Sequence, residues 1–128
     1  MLIDTHLHLV NDGFDIDNVI KRAGDVGVKY LIVSGSDLID NRLNKEFIVK
    51  YNNIFLSAGY HPSCAGDVSE DDFSFLDSML GNSRVVAIGE IGLDYHYGKE
   101  DRDAQISLFR RQLDLAVKHN LPVVVHTR

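Results

Sequence analysis

Residues 85–126 read VVAIGEIGLDYHYGKEDRDAQISLFRRQLDLAVKHNLPVVVH, and they decide the fold. Val85–Glu90 is apolar, β-branched and too short for a helix, and so is Leu121–His126. Between them, from Asp101 to Asn120, runs a stretch with Ile106, Phe109, Leu113, Ala116 and Val117 on one helical stripe. Pro122 follows, where a helix cannot continue. A strand, a helix and a second strand in this order make a crossover unit, which joins parallel strands.

The same alternation extends to the N-terminus. Further strands are expected at Leu2–Leu9, Tyr30–Gly35 and Ile54–Tyr60. A first helix carries Ile16, Val19, Ile20 and Ala23 and ends at Gly24 and Gly27. A second covers Leu38–Tyr51, with Leu43, Phe47 and Ile48 on one face. Ser69 opens the third, acidic Glu70, Asp71 and Asp72 suit its N-terminus, and Phe73, Leu76 and Leu80 form its stripe up to Gly81-Asn82. Five strands and four helices in alternation predict an α/β fold with a parallel sheet, either doubly wound or a (β/α) barrel of the TIM type. No glycine-rich phosphate loop follows the first strand, which disfavours the dinucleotide-binding version. A complete barrel needs roughly 250 residues. The 128 residues are therefore expected to form one domain, an incomplete barrel.

Composition narrows the function. Thirteen basic against nineteen acidic side chains leave a net charge of −6, so a broad basic surface for nucleic acid is excluded. No apolar run approaches the ~20 residues of a membrane span, and Met1-Leu2-Ile3-Asp4 does not begin a secretory signal. The lone Cys64 cannot form an internal disulfide, which suits a reducing, cytoplasmic setting.

The informative residues are the histidines. His6 and His8 are two apart in a strand, and alternation places them, with Asp4, on one face. A single strand histidine is usually a buried ring bonded to backbone; two on one face both need partners. His61 follows the third strand, Glu90 ends the fourth and His126 ends the fifth. The C-terminal ends of parallel strands form the active-site rim in such folds. Histidine and glutamate mixed at one rim suit a divalent transition metal or Zn²⁺, and a glutamate can bridge two ions. His119 in a last helical turn, His96 in a loop, Cys64 as a buried or idle thiol, and Arg110, Arg111 and Lys118 on the wet face of the fourth helix carry plainer readings.

Four motifs resemble the TatD-type family of metal-dependent hydrolases. They are Asp4-Thr5-His6-Leu7-His8, Gly59-Tyr60-His61-Pro62, Gly89-Glu90-Ile91-Gly92-Leu93-Asp94-Tyr95 and Leu121-Pro122-Val123-Val124-Val125-His126-Thr127-Arg128. Gln105, Phe109, Arg111, Gln112 and Leu115-Ala116 in the fourth helix are similar to the family too. The resemblance implies the N-terminal half of a (β/α)₈ barrel and a deoxyribonuclease that hydrolyses phosphodiesters with metal-activated water. It implies two divalent ions (Mg²⁺, Mn²⁺ or Zn²⁺) and DNA as substrate, with no membrane partner. By motif, His6 and His8 hold one metal, Glu90 bridges and is catalytic, and His126 serves the second metal. His61 is catalytic and contacts substrate; Asp94 and Arg128 are substrate-side residues. The family pattern continues with a further histidine and an aspartate beyond Arg128, so the 128 residues alone are expected to have impaired activity. Two rivals stand: a barrel hydrolase of a non-nucleic-acid substrate such as a cyclic amide, and a catalytically incomplete half-barrel that binds or associates through its exposed sheet edges.

Overall fold

A computed structural model describes residues 1–9, 13, 15–96 and 101–128. Five parallel strands form one sheet in the order β1-β2-β3-β4-β5, each paired with its successor in the chain. They are β1 (Leu2–Leu7), β2 (Val28–Ser34), β3 (Ile54–Ala58), β4 (Val85–Leu93) and β5 (Val123–Thr127). Helices α1 (Ile16–Asp25), α2 (Leu38–Lys50), α3 (Glu70–Met79) and α4 (Arg102–His119) fill the four crossovers. A short 3₁₀ turn, Pro62–Cys64, precedes α3. The sheet curls as an incomplete TIM-type barrel with helices outside, as the alternation predicts.

The strand residues divide by face. Leu31 and Val33 of β2 and Ile54 and Leu56 of β3 are at most 2% exposed and pack with Ile48, Phe73, Leu76, Met79, Leu108 and Ala116 from the helices. Burying each such aliphatic chain is worth about 1.5–3 kcal/mol. The alternate residues Ile3, Tyr30, Ile32, Phe55 and Val86 line an apolar groove on the opposite, concave face. The outer strands β1 and β5 stay largely exposed, with Leu2, Ile3, Val123 and Val125 in contact with solvent.

Helix ends follow the side chains read from sequence. Asp101 caps α4 by accepting from the Ala104 N–H, and Asn120 closes it in the left-handed conformation at φ +53°. Ser69 and Asp72 form a reciprocal capping box at α3, the Ser69 hydroxyl accepting from the Asp72 N–H and the Asp72 carboxylate from the Ser69 N–H. Ser69→Ala should lower stability by about 1 kcal/mol, measured as a shift in urea midpoint at constant slope; no shift would show that α3 is held by packing alone.

Strand boundaries differ from the expected ones in β1, which ends at Leu7 rather than Leu9, and in β3 and β4. β3 stops at Ala58 rather than Tyr60, because the Gly59 and Tyr60 backbones bond side-chain amides of Asn41 and Gln112 instead of a strand. β4 runs on to Leu93, so Glu90 lies inside the strand rather than at its end. The register with β5 shifts between Ile88 and Ile91, and the Gly89–Glu90 peptide is cis. Gly92, at φ +147°, occupies a conformation that suits glycine and lies opposite His126.

Candidate metal centre

Glu90 is the hub. Its Oε2 lies 3.5 Å from His6 Nε2 and 3.7 Å from His8 Nε2, and its Oε1 lies 3.0 Å from His126 Nδ1. Four strands or their ends thus deliver His6, His8, His61, Glu90 and His126 to one place. The donor atoms of His6, His8 and Glu90 lie within 4.8 Å of one another, as do those of His61, Glu90 and His126. The two sets share Glu90.

β1 ends at Leu7, so His8 follows the strand rather than belonging to it. Its ring still meets that of His6 edge-on, at 5.1 Å between centroids. The β1–β2 register shifts between Asp4 and Leu7, next to His6. Asp4 accepts from the His6 N–H at 3.2 Å, and Ser34 Oγ lies 3.4 Å from His6 Nδ1, leaving Nε2 turned to Glu90. Ser34 was not singled out from the sequence; its position two residues beyond Ile32 on the same strand face was the available signal.

His61 caps the 3₁₀ turn. The Ser63 N–H donates to its Nδ1 at 3.1 Å, and Ser63 Oγ is 2.8 Å from the same atom. With Nδ1 an acceptor, a neutral His61 carries its proton on Nε2 and is a donor there. Burial, and secondarily the neighbouring His126, pulls the His61 pKa below the ordinary imidazole value, so the ring is neutral at neutral pH. The His61 and His126 rings meet edge-on at 4.3 Å.

His126 stands between two carboxylates, Glu90 at Nδ1 and Asp94 at Nε2, each at 3.0 Å. A neutral imidazole has one N–H, so it can donate to only one of them. The other nitrogen then points a lone pair at a carboxylate oxygen, which a cation between them would relieve. Together with imidazoles and a carboxylate as donors, this arrangement fits a divalent metal ion. Asp94 is held below the usual carboxylate range, first by the His96 N–H and then by His126. The Arg128 backbone pairs with Leu93 and Tyr95, and its charge also favours the ionised Asp94.

Other polar groups have structural partners. His119 lies 2.6 Å from Asp77, which Lys118 also pairs, and Arg111 joins Glu70 at 2.8 Å while covering the Phe73 ring. Arg111 and Lys118 thus tie α4 to α3 rather than facing water alone. The Cys64 thiol is half-buried, donates to the Ser36 carbonyl and is pushed up in pKa by burial. Among the described residues no helix is long and apolar enough to cross a membrane.

The curled parallel sheet thus brings its histidines together around a shared glutamate toward the C-terminal ends of its strands, the end at which barrels of parallel strands carry their sites. The family of TatD related DNases matches residues 3–128, and the chain belongs to it. It is 40% identical over 130 residues to the "Uncharacterized metal-dependent hydrolase YabD" of Bacillus subtilis, covering 100% of this chain and 51% of that protein. It is 31% identical to the "3'-5' ssDNA/RNA exonuclease TatD" of Erwinia billingiae, covering 99% of this chain and 50% of that one. The crystal structure of YJJV, a TatD homologue from Escherichia coli K12, superposes with a TM-score of 0.90 at 30% identity, over 99% of this chain and 51% of the other. The chain spans about half the length of the curated relatives it matches.

Proposed function

We propose that residues 1–128 are one unit, the N-terminal part of a barrel that hydrolyses phosphodiesters of single-stranded nucleic acid, DNA above all, in the cytoplasm. The observation that carries this reading is Glu90 shared between two histidine sets. In it, His6, His8 and Glu90 hold one divalent ion, and Glu90 with His126 holds a second, Mg²⁺, Mn²⁺ or Zn²⁺. Bound divalent ions supply Lewis acidity and positive charge for a phosphate, which answers the net charge of −6. His61 donates from Nε2 to an anionic phosphate oxygen. Asp94 orients His126 through its Nε2 contact and fixes which ring nitrogen is left for Glu90. Arg128 offers a guanidinium to the substrate's phosphates from the end of β5. Residues 1–128 on their own are also expected to self-associate through the open edges of β1 and β5.

The test is hydrolysis of end-labelled single-stranded DNA with Mg²⁺ or Mn²⁺, by residues 1–128 and by a form extended to the relatives' length. The extended form is expected to cleave, and 1–128 to be much slower. Cleavage of a cyclic amide but not of DNA by the extended form would overturn the substrate class.

Metal affinity should also fall in acid. Imidazoles bind metal only when neutral, and the ordinary imidazole value is about 6.5. Going from pH 7.5 to 5.5 should therefore weaken metal binding. Titration calorimetry with Zn²⁺ at the two pH values checks it, and equal affinity at both would rule out histidine ligands.

A further inference from the structure

Three buried amides take over where two strands stop. Gln112 Oε1 accepts from the Tyr60 N–H at 2.7 Å, and its Nε2 donates to the Tyr60 carbonyl at 2.9 Å. Gln105 does the same to Asp94, at 2.8 Å in both directions. Asn41 Oδ1 accepts from the Gly59 N–H at 3.3 Å, and its Nδ2 donates to the Gly59 carbonyl at 2.7 Å. None of the three is more than 1% exposed. Each amide therefore exchanges both backbone bonds with a single residue, as an adjacent strand would. They act just past the last residues of β3 and β4, Ala58 and Leu93; at the end of β4 they add to the backbone bonds that still join Leu93 and Tyr95 to Arg128.

The residues so held adjoin the histidine cluster. Tyr60 directly precedes His61, whose ring packs edge-on against His126. Asp94 meets the other side of His126 at Nε2. Gln105 and Gln112 are seven residues apart, two turns of α4, so one helix face reaches both strand ends. We propose that Asn41, Gln105 and Gln112 are positioning residues, which aim His61 and the Asp94–His126 pair into the site by pinning the backbone behind them. The effect on metal rests on the metal reading above; the effect on ring geometry does not. Simple satisfaction of buried polar groups would leave the His61–His126 contact in place once the chain folds.

Gln112→Leu and Gln105→Leu separate these roles, with Asn44→Leu as the comparison. Asn44 is an equally buried amide on α2 whose polar side-chain atoms have no hydrogen-bond partner among the described residues. In metal-free protein, the nuclear Overhauser contact between the His61 and His126 rings should disappear in Gln112→Leu and weaken in Gln105→Leu. It should persist in Asn44→Leu. Zn²⁺ affinity by calorimetry should fall about tenfold in Gln105→Leu, which loosens the Asp94 partner of His126, and stay at the parent value in Asn44→Leu. If Gln112→Leu does not melt cooperatively, Gln112→Glu decides, since it keeps the acceptor for the Tyr60 N–H and loses the donor to its carbonyl. Folded glutamine variants that keep the ring contact overturn the proposal. Failure of the parent chain to bind Zn²⁺, with the ring contact still lost in the variants, overturns the metal reading and leaves the positioning role standing.

Discussion

Replacing Glu90 with glutamine should weaken divalent-metal binding by about a hundredfold or more, roughly 2.8 kcal/mol, while the chain still folds. Glu90 presents one oxygen to both His6 and His8 and the other to His126. Glutamine keeps the shape, removes the negative charge and turns one acceptor into an NH₂ donor. That donor would face imidazole nitrogens or a cation, and one of the two histidine sets would lose its shared oxygen. Loss of a merely orienting partner costs 10–100-fold in metal systems, and a shared carboxylate should exceed that range. Calorimetry with Mn²⁺ and Zn²⁺ measures it, with circular dichroism reporting the fold. Unchanged affinity would show that Glu90 is a spectator.

Gly92→Ala should be the most damaging small substitution in the sheet, costing about 3 kcal/mol or more. The conformation at φ +147° is one that alanine rarely adopts. A methyl there would also overlap the carbonyl oxygen of His126, a backbone atom held in the β4–β5 ladder. Relief requires β5 to move away from β4, which carries His126 out of the cluster. Stability by urea titration and Zn²⁺ affinity should therefore fall together. Gly81→Ala is the comparison, because a methyl at Gly81 meets nothing within 4 Å. It should change stability by less than about 1 kcal/mol. A Gly92→Ala chain as stable as the parent would mean that the two strands can part without cost.

The fold was legible because its signals are local. A helix expected from Asp101 to Asn120 is observed as Arg102–His119 between those two caps, since aspartate and asparagine act on backbone a few residues away. The histidine cluster was legible through period-two spacing and the rim rule, which need only the strand direction. What escaped the sequence depends on neighbours distant in the chain. The end of β3 moved because Gln112, 52 residues on, takes the Tyr60 backbone. Asn41 looks like an ordinary helix residue until Gly59 is placed beside it. Arg111 and Lys118 face another helix, whose position no spacing within α4 can reveal.

The unbroken strand order β1 to β5 has a bearing on how the protein is made. Each of β2 to β5 pairs with the strand synthesised just before it, so none of these four has to wait for that partner from later in the chain. Loop-closure entropy is then met in several modest instalments, each spanning one helix, rather than in one long closure. A ribosome delivering the chain from its N-terminus can add each βα unit onto a template already in place. The histidines follow the same timetable: His6 and His8 emerge first, His61 and Glu90 later, and His126 after every other member of the cluster. Nascent chains that stop before β5 would therefore already carry the His6–His8–Glu90 set and lack only His126.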